Sequence, residues 1–288
     1  MRDHLVRATA AAGRIRAVAI RTTDLAEEAR VRHGLSPTAS AALGKVMTGA
    51  LLLASTLRKA GRLNVRVAGG GPIGGIFVDA GTDGKVRGYV GNPDIDLPLK
   101  NDGHLNVGGA VGQDGFLSVT YDLGRRPYTG TVALVSGEIG DDVAAYLAHS
   151  EQIPSAVSLG IFVEGGRVVS AGGLLVQLLP DAGDEIAERL EETIRSLPAF
   201  SDMDKGNLSL VQVLERALEG FAVEILQDEQ SVAFSCHCDT ERVLSALRLL
   251  GEEEIKDMIA VDGQAEVRCH FCGTQYQVSR EQLEGLVS

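Results

Sequence analysis

Tryptophan is absent from this 288-residue chain, and with seven phenylalanines and five tyrosines the aromatics reach only 4%. A surface that stacks nucleobases or sugar rings needs aromatic faces, so the composition gives such a site no support. Cysteine is missing from the first 235 residues, which excludes a disulfide scaffold running through the fold. Long apolar runs are missing too. The longest uncharged, apolar-leaning stretch near the N-terminus, Val46 to Leu57, has 12 residues and includes Thr48, Gly49, Ser55 and Thr56, whereas a membrane span needs about 18 or more. Met1-Arg2-Asp3-His4 leads into a segment carrying Arg7, Arg14 and Arg16, with none of the apolar core of a signal peptide. The expectation is a cytoplasmic protein of about two domains with no membrane partner.

Positive charge is scarce in the second half. Residues 1–180 carry a net charge of +2, residues 181–230 a net −9 and residues 231–288 a net −5. Four-cysteine modules raise the question of nucleic acid, but a phosphate-binding surface needs a basic face. Nucleic acid is therefore not an expected partner.

The cysteines that do occur are confined to the last 53 residues, as Cys236-His237-Cys238 and Cys269-His270-Phe271-Cys272. Two close pairs separated by 30 residues suit tetrahedral coordination of zinc, two thiolates coming from each of two tight turns. Cys236, Cys238, Cys269 and Cys272 are the expected ligands of one Zn²⁺, held as thiolates in a reducing cytosol. His237 and His270 sit inside the pairs, but four cysteines already complete the tetrahedron, so neither is expected to ligate.

The pattern along the chain predicts an α+β protein: an antiparallel-sheet core domain with packed helices, a helical linker and a small C-terminal zinc domain. Residues 1–180 show strand-like runs at 63–67, 76–78, 86–90, 116–121, 131–135, 157–163 and 168–179. Asp83-Gly84, Asp114-Gly115 and Gly165-Gly166 are read as hairpin turns. One helix is expected from an N-cap at Ser36, with Pro37 in its first turn, to about Lys59, and another after Asp141. Residues 181–230 predict a helix bearing Ile186, Leu190, Ile194 and Leu197 on one face, with Glu185–Arg189 and Glu191–Arg195 pairs on the other. A loop is expected at 201–207, then a second helix capped by Ser209 and Gln212 that carries Leu210, Leu214, Ala217, Leu218 and Phe221. Two short acidic helices form little core of their own, so this linker is metastable and folds only while something holds it down. In 231–288, Asp239 caps a helix bearing Val243, Leu244, Leu247 and Leu250. A second helix follows Gly251, and short strands flank the second cysteine pair.

Two other patterns are weak. Gly69-Gly70-Gly71-Pro72-Ile73-Gly74 matches a dinucleotide-binding string, but that site needs a helix next, and Ile76-Phe77-Val78 resumes a strand. His149-Ser150-Glu151 lacks a nucleophile elbow or oxyanion loop. No enzyme is expected.

The chain resembles the 33 kDa chaperonin family, the redox-regulated heat-shock holdases, over essentially its whole length. The resemblance is carried by Tyr128-Thr129-Gly130-Thr131-Val132, Ser136-Gly137-Glu138-Ile139, Tyr146-Leu147 and Ser150-Glu151-Gln152-Ile153-Pro154-Ser155. Gly172-Gly173-Leu174-Leu175-Val176-Gln177-Leu178-Leu179-Pro180 and the two cysteine pairs complete it. It implies an ATP-independent holdase that is silent while reduced and zinc-bound. Peroxide or hypochlorous acid then oxidises the thiolates, pairing neighbours as Cys236–Cys238 and Cys269–Cys272 with loss of zinc. The oxidised form is expected to dimerise, bind unfolded clients and pass them to ATP-dependent foldase chaperones. The residues themselves are compatible with this: Leu190, Ile194, Leu197, Leu210, Leu214 and Leu218 are the candidate client-binding side chains once the linker is freed. The alternative is a structural zinc adaptor without redox switching.

Overall fold

Residues 2–124, 126–226 and 229–287 are described by the computed structural model, and they divide into two compact units, Met1–Phe234 and Ser235–Ser288. The first opens with an antiparallel hairpin, β1 (His4–Ala10) and β2 (Ile15–Arg21). Its arginines obscure the strand alternation in the sequence. Helix α1 (Thr23–His33) follows, then α2 (Pro37–Ser55), whose N-cap Ser36 accepts a hydrogen bond from the Ala39 N–H. The expected extension to Lys59 is not formed; α2 ends at Ser55. Among the described residues it is the one helix long and apolar enough to cross a membrane by composition, and 89% of that stretch is buried inside the protein.

Strands β3 (Arg62–Ala68), β4 (Ile76–Gly81) and β5 (Lys85–Val90) meander next, with Asp83-Gly84 at the turn between the last two. A short helix α3 (Val107–Val111) precedes β6 (Phe116–Asp122) and β7 (Tyr128–Ala133). Asp114-Gly115 is not a hairpin turn. Strand β6 returns to pair with β3 rather than β5, and the Asp114 N–H donates to the Gly69 carbonyl. Glycines 69 and 71 belong to this crossing. A Cβ on either would overlap a carbonyl oxygen in 110–112, so these glycines let two backbone segments touch and make no phosphate cradle. Helix α4 (Gly140–His149) leads into the long hairpin β8 (Ser155–Glu164) and β9 (Arg167–Leu178), turned by Gly165 and Gly166 at positive φ.

These strands make two sheets. One has the order β7, β6, β3, β4, β5; in the other β1, β2, β9 and β8 run side by side. Helix α2 packs on strands of both. Because strand side chains alternate, the pairings Ala8↔Ala17, Ala17↔Val176 and Ala19↔Leu174 place Val6, Ala8, Ala10, Ala17, Ala19, Leu174 and Val176 on one common face of the second sheet.

Residues 184–217 cover that face. They form α5 (Asp184–Arg195), α6 (Phe200–Lys205) and α7 (Leu210–Ala217). The expected loop at 201–207 is thus mostly helix, because Phe200 and Met203 are buried on the sheet while Asp202 between them faces outward. The expected capping box at Ser209 is present, Gln212 accepting from the Ser209 N–H at 2.9 Å. Glu191 and Arg195 pair at 2.5 Å. Arg189 instead donates to the Gly220 carbonyl at 2.7 Å and lies over the Phe221 ring. Strand β10 (Val223–Ile225) and β11 (Gln230–Ser231) then pair with β1, and β12 (Ala233–Phe234) pairs with β5.

The second unit comprises α8 (Thr240–Arg248), α9 (Glu252–Val261), the antiparallel pair β13 (Gln264–Arg268) and β14 (Gln275–Ser279), and α10 (Arg280–Glu284). Asp239 caps α8 by accepting from the Arg242 N–H at 2.8 Å. Leu250 lies beyond the end of α8 and is 54% exposed, not part of its apolar face as the spacing predicts. The core here is small: Val243, Leu247, Ile255, Val278 and Leu283 are its fully buried members.

Candidate metal centre

The second cysteine pair sits in the turn between β13 and β14. The Cys269 N–H donates to the Thr274 carbonyl at 2.9 Å, the Gly273 N–H returns to the Cys269 carbonyl at 2.8 Å, and Gly273 takes φ +71°. A side chain is strained at that φ, so glycine is what closes the knuckle. The first pair lies immediately before the N-cap of α8. One pair is carried by a strand turn and the other by a helix entry, and the packing of α8 against β14 brings them together.

The four Sγ atoms lie within 4.8 Å of one another. Cys236 and Cys269 are separated by 3.8 Å and Cys238 and Cys272 by 3.2 Å. A tetrahedral zinc with bonds of ~2.3 Å spaces its sulfurs roughly 3.8 Å apart, so the cluster is already near the geometry that one metal ion requires. Among the described residues no other histidine, cysteine or carboxylate joins this cluster; His237 is half-buried and His270 exposed.

Two hydroxyls surround the sulfurs. The Tyr276 hydroxyl donates to Cys238 Sγ at 3.0 Å, and the Thr274 hydroxyl lies 3.2 Å from Cys272 Sγ. As free thiols the group is split in acidity. Burial pushes the Cys238 thiol up to about 12, with the Tyr276 hydrogen bond opposing it. Burial also acts to raise Cys272, but the Thr274 hydroxyl and backbone N–H bring it down to about 7. The Cys269 thiol is raised by burial against hydrogen bonds from the Cys272 and Phe271 N–H groups. Sulfurs this close repel one another once ionised, and a bound cation would remove that cost for all four.

The candidate client-binding residues are far from free in this state. Leu190, Leu210, Leu214 and Leu218 are buried in a single cluster on the alanine-rich face of the β1–β2–β9 sheet, with Ile194 and Leu197 packed at its margin. The sequence reading missed Phe200 and Met203, which are buried beside them. Their spacing of three residues was the available signal. It also missed the tie beneath α6, where Asp204 accepts from Arg21 Nε at 2.8 Å and from Ser170 Oγ at 2.6 Å.

Two packed antiparallel sheets around a buried helix, followed by a module built on four converging cysteines, define a two-unit α+β protein with a four-cysteine cluster able to hold a metal ion. The model of the Hsp33 protein family matches residues 3–279. The 33 kDa chaperonin of Gloeothece citriformis is 52% identical, with all of this chain and 97% of that protein covered, and the 33 kDa chaperonin of Nostoc punctiforme is likewise 52% identical. The crystal structure of the 33 kDa chaperonin of Thermotoga maritima superposes with a TM-score of 0.92 at 37% identity, covering all of this chain and 98% of that one. The chain belongs to the Hsp33 family of chaperones.

Proposed function

We propose that this protein is a redox-regulated, ATP-independent holdase. In this reading Cys236, Cys238, Cys269 and Cys272 bind one Zn²⁺ in the reduced state, and the chain in that state does not bind clients. Zinc, when bound, keeps the thiolates deprotonated and ties the two knuckles together. The convergence of four sulfurs within 4.8 Å in a chain of this family carries the proposal.

Thiolates are the oxidisable form of cysteine. Peroxide or hypochlorous acid would convert neighbouring thiolates into Cys236–Cys238 and Cys269–Cys272 disulfides, and a pair so bonded no longer holds metal. The unit at 231–288 would then lose its staple. Residues 181–230 act as the metastable linker in this proposal, releasing from the core domain at 1–180. An open groove of about 370 Å³ runs between α5 and strands β8 and β9, and Leu190 is the one side chain of α5 that is buried, which supports weak attachment there, since few buried apolar contacts hold the helix. Release would expose the stripe of Leu190, Ile194, Leu197, Leu210, Leu214 and Leu218 together with the sheet face beneath it. The linker's net −9 charge keeps a loaded complex in solution. We place the protein in the cytoplasm, dimeric when oxidised, with ATP-dependent foldases receiving its clients.

The test is light scattering from a heat-unfolding client, with this protein added either zinc-loaded and reduced or pretreated with peroxide at elevated temperature. Suppression by the oxidised form alone is expected, and serine at several of the six stripe positions should abolish it. Equal behaviour of the two forms would reduce the cysteines to a structural staple. Full activity of the serine variant would move client binding elsewhere.

A further inference from the structure

A cavity of about 760 Å³ opens where the first sheet-and-helix layer hands the chain to α5. Its walls come from β2, from the residues that follow α2, from the turn between α4 and β8, and from the start of α5. Leu57, Leu147, Ile153, Leu178 and Leu179 make much of the lining apolar. A mainly apolar hollow of this size with a few converging polar groups is the usual form of a small-molecule site.

Two of the polar groups are the guanidiniums of Arg16 and Arg58. Among the described residues, no carboxylate lies within ion-pairing distance of either. Arg16 gives N–H groups to the Gln177 side-chain oxygen at 3.1 and 2.6 Å, and its remaining donors are left for another acceptor. Burial lowers its pKa, and the nearby charge of Arg58 lowers it further, so two like charges face one hollow. Glu151 in the same lining accepts from the Tyr146 hydroxyl at 2.9 Å, and Asp184 is exposed on the first turn of α5.

The hollow continues past the arginines. Through Pro154, Leu178 and Ala187 it joins the groove of about 370 Å³ beneath α5. Ala156 and Val176 line the sheet side of that groove, and Leu190 and Ile194 line its helix side. From Ala187 to Ile194 the helix rises ~10 Å, which is room for an alkyl chain of medium length.

We propose that this continuous cavity binds a fatty carboxylate, with its headgroup on Arg16 and Arg58 and its alkyl chain in the groove between α5 and the sheet. Guanidiniums match carboxylates through paired, charge-assisted hydrogen bonds. A single negative charge suits the site better than the roughly −1.5 to −2 of a phosphate monoester, because Glu151 and Asp184 already place two carboxylates in the lining. The chain touches the sheet on one side and α5 on the other, so it fills the space between them and holds α5 down. The site stands whether or not the cysteines switch.

The probe is decanoate, titrated calorimetrically below its micelle concentration into the full-length, reduced, zinc-loaded protein. One saturable site per chain is expected. Octanoate, two methylenes shorter, should bind roughly ten-fold more weakly, and decanol, which lacks the charge, should also bind more weakly. Arg58 is exposed, so Arg58→Gln leaves the fold intact and should weaken decanoate roughly three- to ten-fold. Ala187→Leu blocks the passage between the two spaces and should remove the dependence on chain length. With decanoate at a hundred times its Kd, amide exchange across α5 should slow roughly a hundred-fold. Wild-type affinity in Arg58→Gln, or equal binding of octanoate and decanoate by wild type, overturns the proposal. So does uptake that never saturates, which is hydrophobic adsorption, and so does tighter binding of decyl phosphate, which would make this a phosphate site. Binding that leaves exchange in α5 unchanged would put the alkyl chain elsewhere and overturn it too.

Discussion

The ring of Phe200 occupies the space that a side chain on Gly172 would fill: a Cβ on Gly172 would overlap the Cε1 and Cζ atoms of that ring. Phe200 is the largest fully buried side chain in 181–230, and the sheet beneath it offers mainly alanines. Large side chains on the helices therefore meet small ones on the sheet, and removing a large one leaves a hole that the sheet cannot fill.

Phe200→Ala should weaken this attachment by ~3–5 kcal/mol, the usual cost of emptying a buried aromatic site. In the reduced, zinc-loaded protein, hydrogen exchange over 184–217 should accelerate while β3, β4 and β6 keep their protection. Some client binding should appear without oxidant. Wild-type exchange in the variant would mean that α6 is held by other contacts.

The Arg21–Asp204 ion pair is the second point of attachment. The charges approach to 2.6 Å, and the side chains are only 7% and 10% exposed. Removing one partner of a buried pair strands the other, at a cost of ~3–5 kcal/mol, whereas replacing both by apolar residues is often close to neutral. Asp204→Met and Arg21→Met should each lower the denaturant midpoint, and Arg21→Met with Asp204→Met should lose much less than the two single losses combined. Additive losses would show that the pair is not the coupling element.

Much of this architecture is legible from the chain. The four cysteines announce their site because knuckle spacing is local in sequence, and the caps at Ser36, Ser209 and Asp239 form as read for the same reason. What escaped depends on distant partners. The hairpin of β1 and β2 places Arg7, Arg14 and Arg16 where alternation should show, and β2 is recognisable only once β9 lies beside it. The segment 200–205 reads as a loop because its acidic residues dominate the composition, while its helix is fixed by Gly172 and Arg21, residues well over a hundred positions away in sequence or nearly thirty. Tyr276 was read as part of a strand, and no local pattern reports that its hydroxyl reaches a sulfur thirty-eight residues earlier.

Asp3 gives the first unit a dependence on pH. Its carboxylate accepts from the N–H groups of Asp24 at 3.1 Å and Leu25 at 2.8 Å, capping α1, whose own N-cap Thr22 makes no side-chain capping bond and turns its hydroxyl to that of Thr48 instead. Burial nevertheless raises its pKa from 3.8 to about 6. Between those values the folded chain holds a proton that the unfolded chain has lost, so this group's contribution to stability falls as pH rises from about 4 to 6. Once ionised it costs roughly 3 kcal/mol. Asp3→Asn cannot titrate. Its denaturant midpoint relative to wild type, compared in matched buffers, should therefore improve steadily from pH 4.5 to 7. A constant difference across that range would show that Asp3 ionises normally.

Metal removal should unfold the second unit and spare the first. Five buried apolar residues, Val243, Leu247, Ile255, Val278 and Leu283, edged by partly buried ones such as Leu244, Val267 and Tyr276, make the apolar cluster of 235–287, and a core of that size supplies only ~3–5 kcal/mol. Structural zinc is worth an apparent ~10–16 kcal/mol at neutral pH, so the metal outweighs the side chains. Chelation under reducing conditions should abolish exchange protection in α8, β13 and β14 while β2 and β9 retain theirs. Oxidation should do the same only if the disulfides join neighbours. A Cys236–Cys238 or Cys269–Cys272 bond closes a loop of a few residues and leaves the knuckles untethered, whereas a Cys236–Cys269 or Cys238–Cys272 bond would close one of more than thirty and restrain the unfolded chain by several kcal/mol, ~3–4 on loop-entropy grounds. Non-reducing peptide mapping distinguishes the two. Cross-knuckle disulfides with a still-protected second unit would show that oxidation staples this domain rather than opening it.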